Sequence, residues 1–324
     1  MRIVVTGASG YIGARLCKNL AEMGHEIVAV YRKIGPKGES WKNKLYGIIE
    51  GDIREDGTIK MIANSCAEAV VHLVSLDHRQ SEADPVIVNE INVLPIWRLL
   101  DECRKSTVSK FIYFSTMQVY GKLPAKLIDE KFPLNAVNTY GLTHLLSEQI
   151  ASYYNSNSKL NVISVRLSNS YGTPVFDDNN CWWLAINDLC KSAFEKKEIR
   201  LLSDGSPQRD FIHGNDVVNA IKLILEKADK SEENVYHISS GKTKSILELA
   251  LTIQSEYFKR YNQEIPIFTP NGLFTKSDYI KPNSFFHLSN EKIKEIGYSP
   301  MVSLEEGIQE LFTYCENKNL DATS

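Results

Sequence analysis

The stretch "RIVVTGASGYIG", Arg2 to Gly13, reads as a buried strand that runs through a glycine-punctuated turn into a helix. Its apolar run is short and β-branched, and a helical pattern from about Tyr11 to Met23 follows. Glycines at Gly7, Gly10 and Gly13 let the backbone turn tightly and approach a pyrophosphate. The charge of such a group is favoured by the N–H groups and dipole of the helix N-terminus. Glycine-rich turns also serve plain strand-to-helix connections, so the weight of this one comes from its position at the first such junction of an alternating chain.

That alternation continues outward from the turn. "EIVAVYR", "GIIEGD", "AVVHLV", "KFIYFST" and "NVISVRL" are further strands, apolar on both faces and separated by helical patterns. In "DPVIVNEINVLPIWRLLDECRK", Asp84 is the N-cap, Pro85 takes the first helical position, and Pro95 is expected to kink the helix. The fold class is α/β: a doubly wound parallel (Rossmann) sheet with a smaller C-terminal α/β substrate-binding part. The expected division is residues 1–168 for dinucleotide binding, with 211–240 packing back onto it, and 169–210 with 241–324 for the substrate.

Composition removes several function classes. The 324 residues carry a net charge of −3, with 43% hydrophobic and 24% charged residues, which gives no footprint for nucleic acid or an anionic membrane. Six scattered cysteines show neither CxxC pairs nor metal-ligand spacing, which suggests reduced thiols in a cytoplasmic protein. No apolar run is long enough for a signal peptide or a transmembrane helix. No metal is expected.

The end of the second strand speaks to the choice of dinucleotide. An NAD site normally has an acid there for the ribose hydroxyls, whereas an arginine accommodates a 2′-phosphate. Here Arg32 and Lys33 follow Tyr31, which favours NADP(H) over NAD(H), the alternative being a solvated basic pair. Asp52, after the third strand, is placed to reach the adenine.

"TGASGYIG", "GDI", "VVHLVS", Asn92 in "INV", "STMQVYG", Tyr140 with Glu148, "RLSNSYG", "SPQRDFIHGNDV" and "KIKEIGYSP" occur in order along nearly the whole chain. On these motifs it resembles the extended short-chain dehydrogenase/reductases, particularly the nucleotide-sugar epimerases, dehydratases and ketoreductases. The resemblance implies hydride transfer between a nicotinamide and a sugar carbinol or ketone, with Tyr140 exchanging the hydroxyl proton and Thr116 bonding the same oxygen. It also implies that Tyr11, Ile12, Ile53 and Leu73 line the cofactor, and that Gln118, Asn169, Arg209 and Lys281 meet the nucleotide sugar. Arg209 has a bland alternative as an ion-pair partner of Asp210 or Asp216. The family further implies a homodimer built on the helices that begin at Asp84 and Tyr140, with Ile96, Leu99 and Leu100 as candidate exposed apolar positions, the alternative being that they face the sheet.

One position departs from the family. Four residues after Tyr140, on the same helix face, the family has a lysine that holds the nicotinamide ribose and lowers the tyrosine pKa; this chain has His144. A tyrosine near 10 must fall by about 3 units to act as a base at neutral pH, which is about 4 kcal/mol. A cation about 6 Å away at an effective dielectric of about 20 supplies nearly 3 kcal/mol. A histidine near 6.5 is only about one-quarter protonated at pH 7, so the expectation is a weaker, pH-dependent ribose clamp, or else a packing residue. Dehydratases of the family carry an Asp-Glu pair after the hydroxyl residue; Met117 and Gln118 stand there and argue against dehydration. A keto-sugar reductase is favoured, an epimerase is close behind, and the alternative is a dinucleotide-binding protein that has lost the relay.

Overall fold

A computed structural model describes residues 1–33, 43–82, 84–177, 179–275 and 285–323. Seven of its strands form one parallel sheet: β1 (Arg2–Thr6), β2 (Glu26–Tyr31), β3 (Gly47–Glu50), β4 (Ala69–His72), β5 (Lys110–Thr116), β6 (Asn161–Leu167) and, after β7 (Asn169–Tyr171) and β8 (Gln208–His213), β9 (Val235–Ile238). Their spatial order is β9-β6-β5-β4-β1-β2-β3, with every pairing parallel. The chain therefore leaves β1 toward β2 on one side and later returns to β4 on the other. Between β1 and β4 the connections diverge to opposite faces, opening a crevice at the carboxyl ends of the strands.

Both faces of the sheet are covered, which is why its strands read as unbroken apolar runs. Ile3, Val5 and Ala29 pack with Leu16 and Leu20 of α1 (Tyr11–Glu22) and with residues of a helix at Gly214–Lys227. Val4, Val28 and Val70 face the opposite layer of α2 (Asp56–Ala63), α3 (Pro85–Asn92), α4 (Leu94–Cys103) and α5 (Thr139–Asn157). Ile96, Leu99 and Leu100 of α4 are fully buried in that layer, so of the two alternatives they face the sheet and are not exposed. Each stabilises the core by about 1.5–3 kcal/mol rather than waiting for a partner.

The cap expected at Asp84 is present, its side chain accepting the Val86 N–H at 2.8 Å. Pro95 does more than kink the helix. It lacks the N–H that would continue the ladder, and α3 and α4 are separate helices about Val93. A smaller sheet joins β8 in parallel to β7 and antiparallel to β10 (Thr243–Ser245). Among the described residues no helix is long and apolar enough to cross a membrane, and no group of three His, Cys, Asp or Glu side chains could hold a metal. All six cysteines are unpaired.

Candidate active site

The crevice starts at Gly7, directly after β1. Its φ of +68° is strained for a side chain, and a Cβ there would stand 3.5 Å from the Leu73 carbonyl carbon after β4. The Gly10 N–H closes the turn on the Gly7 carbonyl at 2.9 Å. A Cβ on Gly13 would come within 2.1 Å of that same oxygen, so only glycine lets α1 start this close to the strand. Tyr11 and Ile12 open the helix. Its first N–H groups remain for an anion.

On the β2 side, Arg32 and Lys33 are exposed. The Gly51 N–H bonds the Tyr31 carbonyl at 3.0 Å, bringing Asp52 and the buried Ile53 beside that strand end. Arg54 donates to both Asp52 oxygens, at 3.0 and 2.8 Å. This bond, helped by the charge of Arg32, lowers the carboxyl to about 2. Asp52 is thus a fixed anion close to Arg32.

On the β4–β5 side, strand and helix periods interlock. Alternate β5 residues Tyr113 and Ser115 meet α5 residues His144 and Glu148, four apart. Ser115 donates to Glu148 at 2.5 Å, and Arg166 of β6 pairs with the same carboxylate at 2.7 Å, all of them buried. Thr116 ends the strand, its oxygen accepting the Gln118 N–H at 3.2 Å. Asn138 caps α5 by accepting the Gly141 N–H at 2.7 Å and donates to the Gln118 side chain at 2.9 Å. Tyr140, in the first turn, therefore stands beside Thr116. Burial pushes its phenol up to about 12, with the Thr116 hydroxyl opposing and Asp77 adding to the shift.

His144 is in contact with Tyr140, ring centroids 4.5 Å apart, but it does not carry the expected partial charge. It is 2% exposed, and burial lowers it to about 4, the Phe114 carbonyl opposing. At pH 7 it is neutral. The solution value near 6.5 belongs to an open imidazole, whereas the fold closes this one under β5.

Of the substrate candidates, Gln118 lies beside Thr116. Asn169 donates to the Asp210 carbonyl at 3.0 Å. Arg209 is exposed and donates to the Gln208 carbonyl at 2.7 Å. Asp210 is held by Ser240 and the Lys242 N–H, and Asp216 by the Met301 and Val302 N–H groups. Among the described residues neither acid pairs with Arg209. Lys281 lies outside the described residues.

Sequence reasoning missed the segment that crosses the glycine turn. Asn179 donates to the Ser9 carbonyl at 2.7 Å, Tyr11 to the Gly172 carbonyl at 3.3 Å, and the buried Arg15 to the Thr173 carbonyl. Farther along, Trp183 meets His78 (ring centroids 5.5 Å) and Arg79 (5.4 Å to the indole) on the loop after β4. A polar arginine within an otherwise apolar helix face was the readable signal.

The model of the NAD-dependent epimerase/dehydratase family matches residues 3–239. The chain belongs to that family. Among its relatives, a putative UDP-glucose 4-epimerase of Methanocaldococcus jannaschii is 25% identical over 98% of this chain and 99% of its own. A dTDP-D-glucose 4,6-dehydratase of Mus musculus is 26% identical over 95% and 86%. The crystal structure of Thermotoga maritima UDP-glucose 4-epimerase with UDP-glucose superposes with a TM-score of 0.82 at 25% identity, covering 99% of this chain and 100% of that one. The residues of this epimerase/dehydratase chain fit a nicotinamide dinucleotide: a tight glycine turn at the switch point and a fixed Asp52 on one side.

Proposed function

We propose that this family member reduces a keto group on a nucleotide sugar, preferring NADPH. The observation that carries the reading is the proton inventory around Tyr140: the phenol is raised to about 12 and the neighbouring imidazole lowered to about 4. A tyrosine so placed holds its proton at neutral pH and donates it, whereas oxidation of a carbinol needs the tyrosinate that no charge on His144 supports.

The bound dinucleotide supplies the hydride. Tyr140 donates its phenolic proton to the ketone oxygen as negative charge develops there. Thr116, with its lone pair engaged by the Gln118 N–H, retains an O–H to donate to the same oxygen. Met117 is buried and the Gln118 amide is bonded to Asn138. Neither exchanges protons, which disfavours dehydration. Arg209 and Asn169, with Lys281, are proposed to hold the nucleotide diphosphate, and the smaller sheet to form the substrate-binding part.

An epimerase is the second reading, favoured by the relatives' names; a dinucleotide-binding protein without turnover is the third. Assays with UDP- and dTDP-linked sugars and their keto derivatives separate the three. Faster reduction than oxidation at pH 7 is expected. Epimer formation without net change in nicotinamide absorbance would select the second reading, and cofactor binding with no turnover the third.

Cofactor preference rests on Arg32. NADPH is expected to bind more tightly than NADH, and Arg32→Asp to reverse the order, with a loss of about 1.5 to 3 kcal/mol, roughly 10- to 150-fold in NADPH affinity. Equal titration of both cofactors by the unmodified protein would remove the argument.

A homodimer is proposed on α3, α4 and α5, where Val86, Ile87, Leu94, Trp97, Leu142 and Leu146 are 42–63% exposed. Light scattering at micromolar concentration tests it, a monomer mass refuting it. The unpaired thiols suit a reducing, cytoplasmic setting.

A further inference from the structure

The chain that leaves β4 is rooted at two points and bonded to itself between them. At the first root the Leu76 N–H donates to the Asn92 side chain at 2.8 Å. Asn92 in turn donates to the Thr143 hydroxyl at 3.1 Å, and that hydroxyl donates to the Tyr140 carbonyl at 3.0 Å. At the second root the buried Ser81 donates its hydroxyl to the Leu76 carbonyl at 3.4 Å. Between the roots, Asp77 accepts the Arg79 and Gln80 N–H groups at 2.9 and 2.8 Å, and the Gln80 side chain accepts the Asp77 N–H at 3.2 Å. An aspartate that bonds the backbone two residues on closes a turn by itself. Residues 77–80 are therefore one compact unit, free to move as a body about its roots.

The exposed side chains of this unit meet Trp183 across the crevice. The His78 ring lies 5.5 Å from the indole at 52°, and the Arg79 guanidinium stands 5.4 Å over it. Trp183 is fixed from its own side: its indole N–H donates to the Asn180 carbonyl at 2.8 Å, and Asn179 donates to the Ser9 carbonyl of the glycine turn at 2.7 Å. Trp182 faces the other way, its ring 5.7 Å from Tyr314 of the helix Leu304–Thr323. Because β1 and β4 are neighbours in the sheet, a contact between the segment over the β1 turn and the loop after β4 bridges the crevice that opens between them. The near side of the turn stands by Tyr140, whose phenol is raised in part by the Asp77 charge. The bridge is weak: an exposed cation–π contact shifts an equilibrium by only about two- to five-fold, and a tilted ring pair by a similar factor.

We propose that residues 77–80 are a lid over the dinucleotide crevice, latched by His78 and Arg79 on Trp183, and that the dinucleotide enters and leaves only when this latch opens. The inference rests on the cofactor half of the reading above and not on the direction of hydride transfer. A reductase exchanges its dinucleotide in every cycle, which makes opening of the lid a step of each turnover.

Stopped-flow fluorescence of NADPH, with association and displacement measured separately, tests it without any sugar substrate. Unlatching moves the lid toward the open state and removes no contact to the dinucleotide, so both rate constants should rise together. The expected increase is about five-fold in Trp183→Ala and about three-fold in Arg79→Ala, with Kd within about two-fold of the unmodified protein. The double variant should be no faster than Trp183→Ala, since both changes remove one shared contact. Trp183→Phe keeps a ring for Arg79 and should recover most of the unmodified rates. Arg79 is exposed, so its variant gives a reading even where loss of the indole disturbs folding. Unchanged rates in Arg79→Ala and Trp183→Ala would overturn the lid. So would faster release with unchanged association, which marks a direct contact to the dinucleotide, or effects that multiply in the double variant. An unmodified protein that binds no nicotinamide dinucleotide would overturn the cofactor reading and the lid with it, whereas binding with any of the preceding results would overturn the lid alone.

Discussion

Replacing Tyr140 by Phe is expected to lower kcat on a keto-sugar nucleotide by about 10²- to 10⁴-fold, the usual contribution of a positioned proton donor. KM should change little, because the ring still packs on His144 and the deleted hydroxyl acts on the oxygen only as charge develops. Thr116→Ala should cost less, since its hydroxyl polarises the oxygen without surrendering a proton; Thr116→Ser should recover most of the loss. The reductive rate should also hold to high pH, because a phenol raised to about 12 is still protonated at pH 9. Full activity in Tyr140→Phe would show that the proton comes from elsewhere, and the assignment would fall.

Folding stability is expected to drop steeply between pH 6.5 and 5. His72, His144 and His237 are all buried, and burial lowers them to about 3, 4 and 4. In the unfolded chain each titrates near 6.5. As pH falls through that value the unfolded chain gains protons that the folded one refuses, so stability is present above about 6.5 and lost below it, until the folded values near 4 are reached. Each group can remove more than 1 kcal/mol by pH 5, about 5 kcal/mol for the three together as an upper figure. That is comparable with the whole stability of an ordinary domain. Buried Asp210 and Asp216, whose pKa values are raised by burial, offset part of this at the lower end of the range. Urea unfolding at pH 7, 6 and 5 measures the effect; equal midpoints at pH 7 and 5 would refute it.

The parts of this molecule that could be read from sequence are those set by local rules. The glycine turn, the Asp84 cap with Pro85, and the doubly covered strands follow from dihedral limits, unsatisfied N–H groups and two-sided apolar patterning. The places of Thr116 at the end of a strand and Tyr140 in the first turn of a helix were legible for the same reason. What failed depended on neighbours distant in sequence. Ile96, Leu99 and Leu100 have the same composition whether they face a sheet or a partner, and only the packing of α4 on Val70 and Phe111 decides between them. The charge of His144 is set by its closure beneath β5, with the Phe114 carbonyl opposing, which no spacing within "TYGLTHLLSEQ" reveals. Arg15 likewise finds its partner at Thr173, far along the chain.

The pairing of Tyr113 and Ser115 with His144 and Glu148 has a consequence for which changes of chain length the protein can accept. Residues added to the connection between Thr116 and Asn138 alter neither period, and both contacts can re-form. One residue inserted between His144 and Glu148 turns everything beyond it by about 100° around the helix axis. Glu148 would then swing away from Ser115 and Arg166, leaving that guanidinium buried without its carboxylate. The same insertion within β5 would send Ser115 to the opposite face of the sheet. Length variation is therefore confined to the loop, while the spacings inside strand and helix are as fixed as the residues themselves.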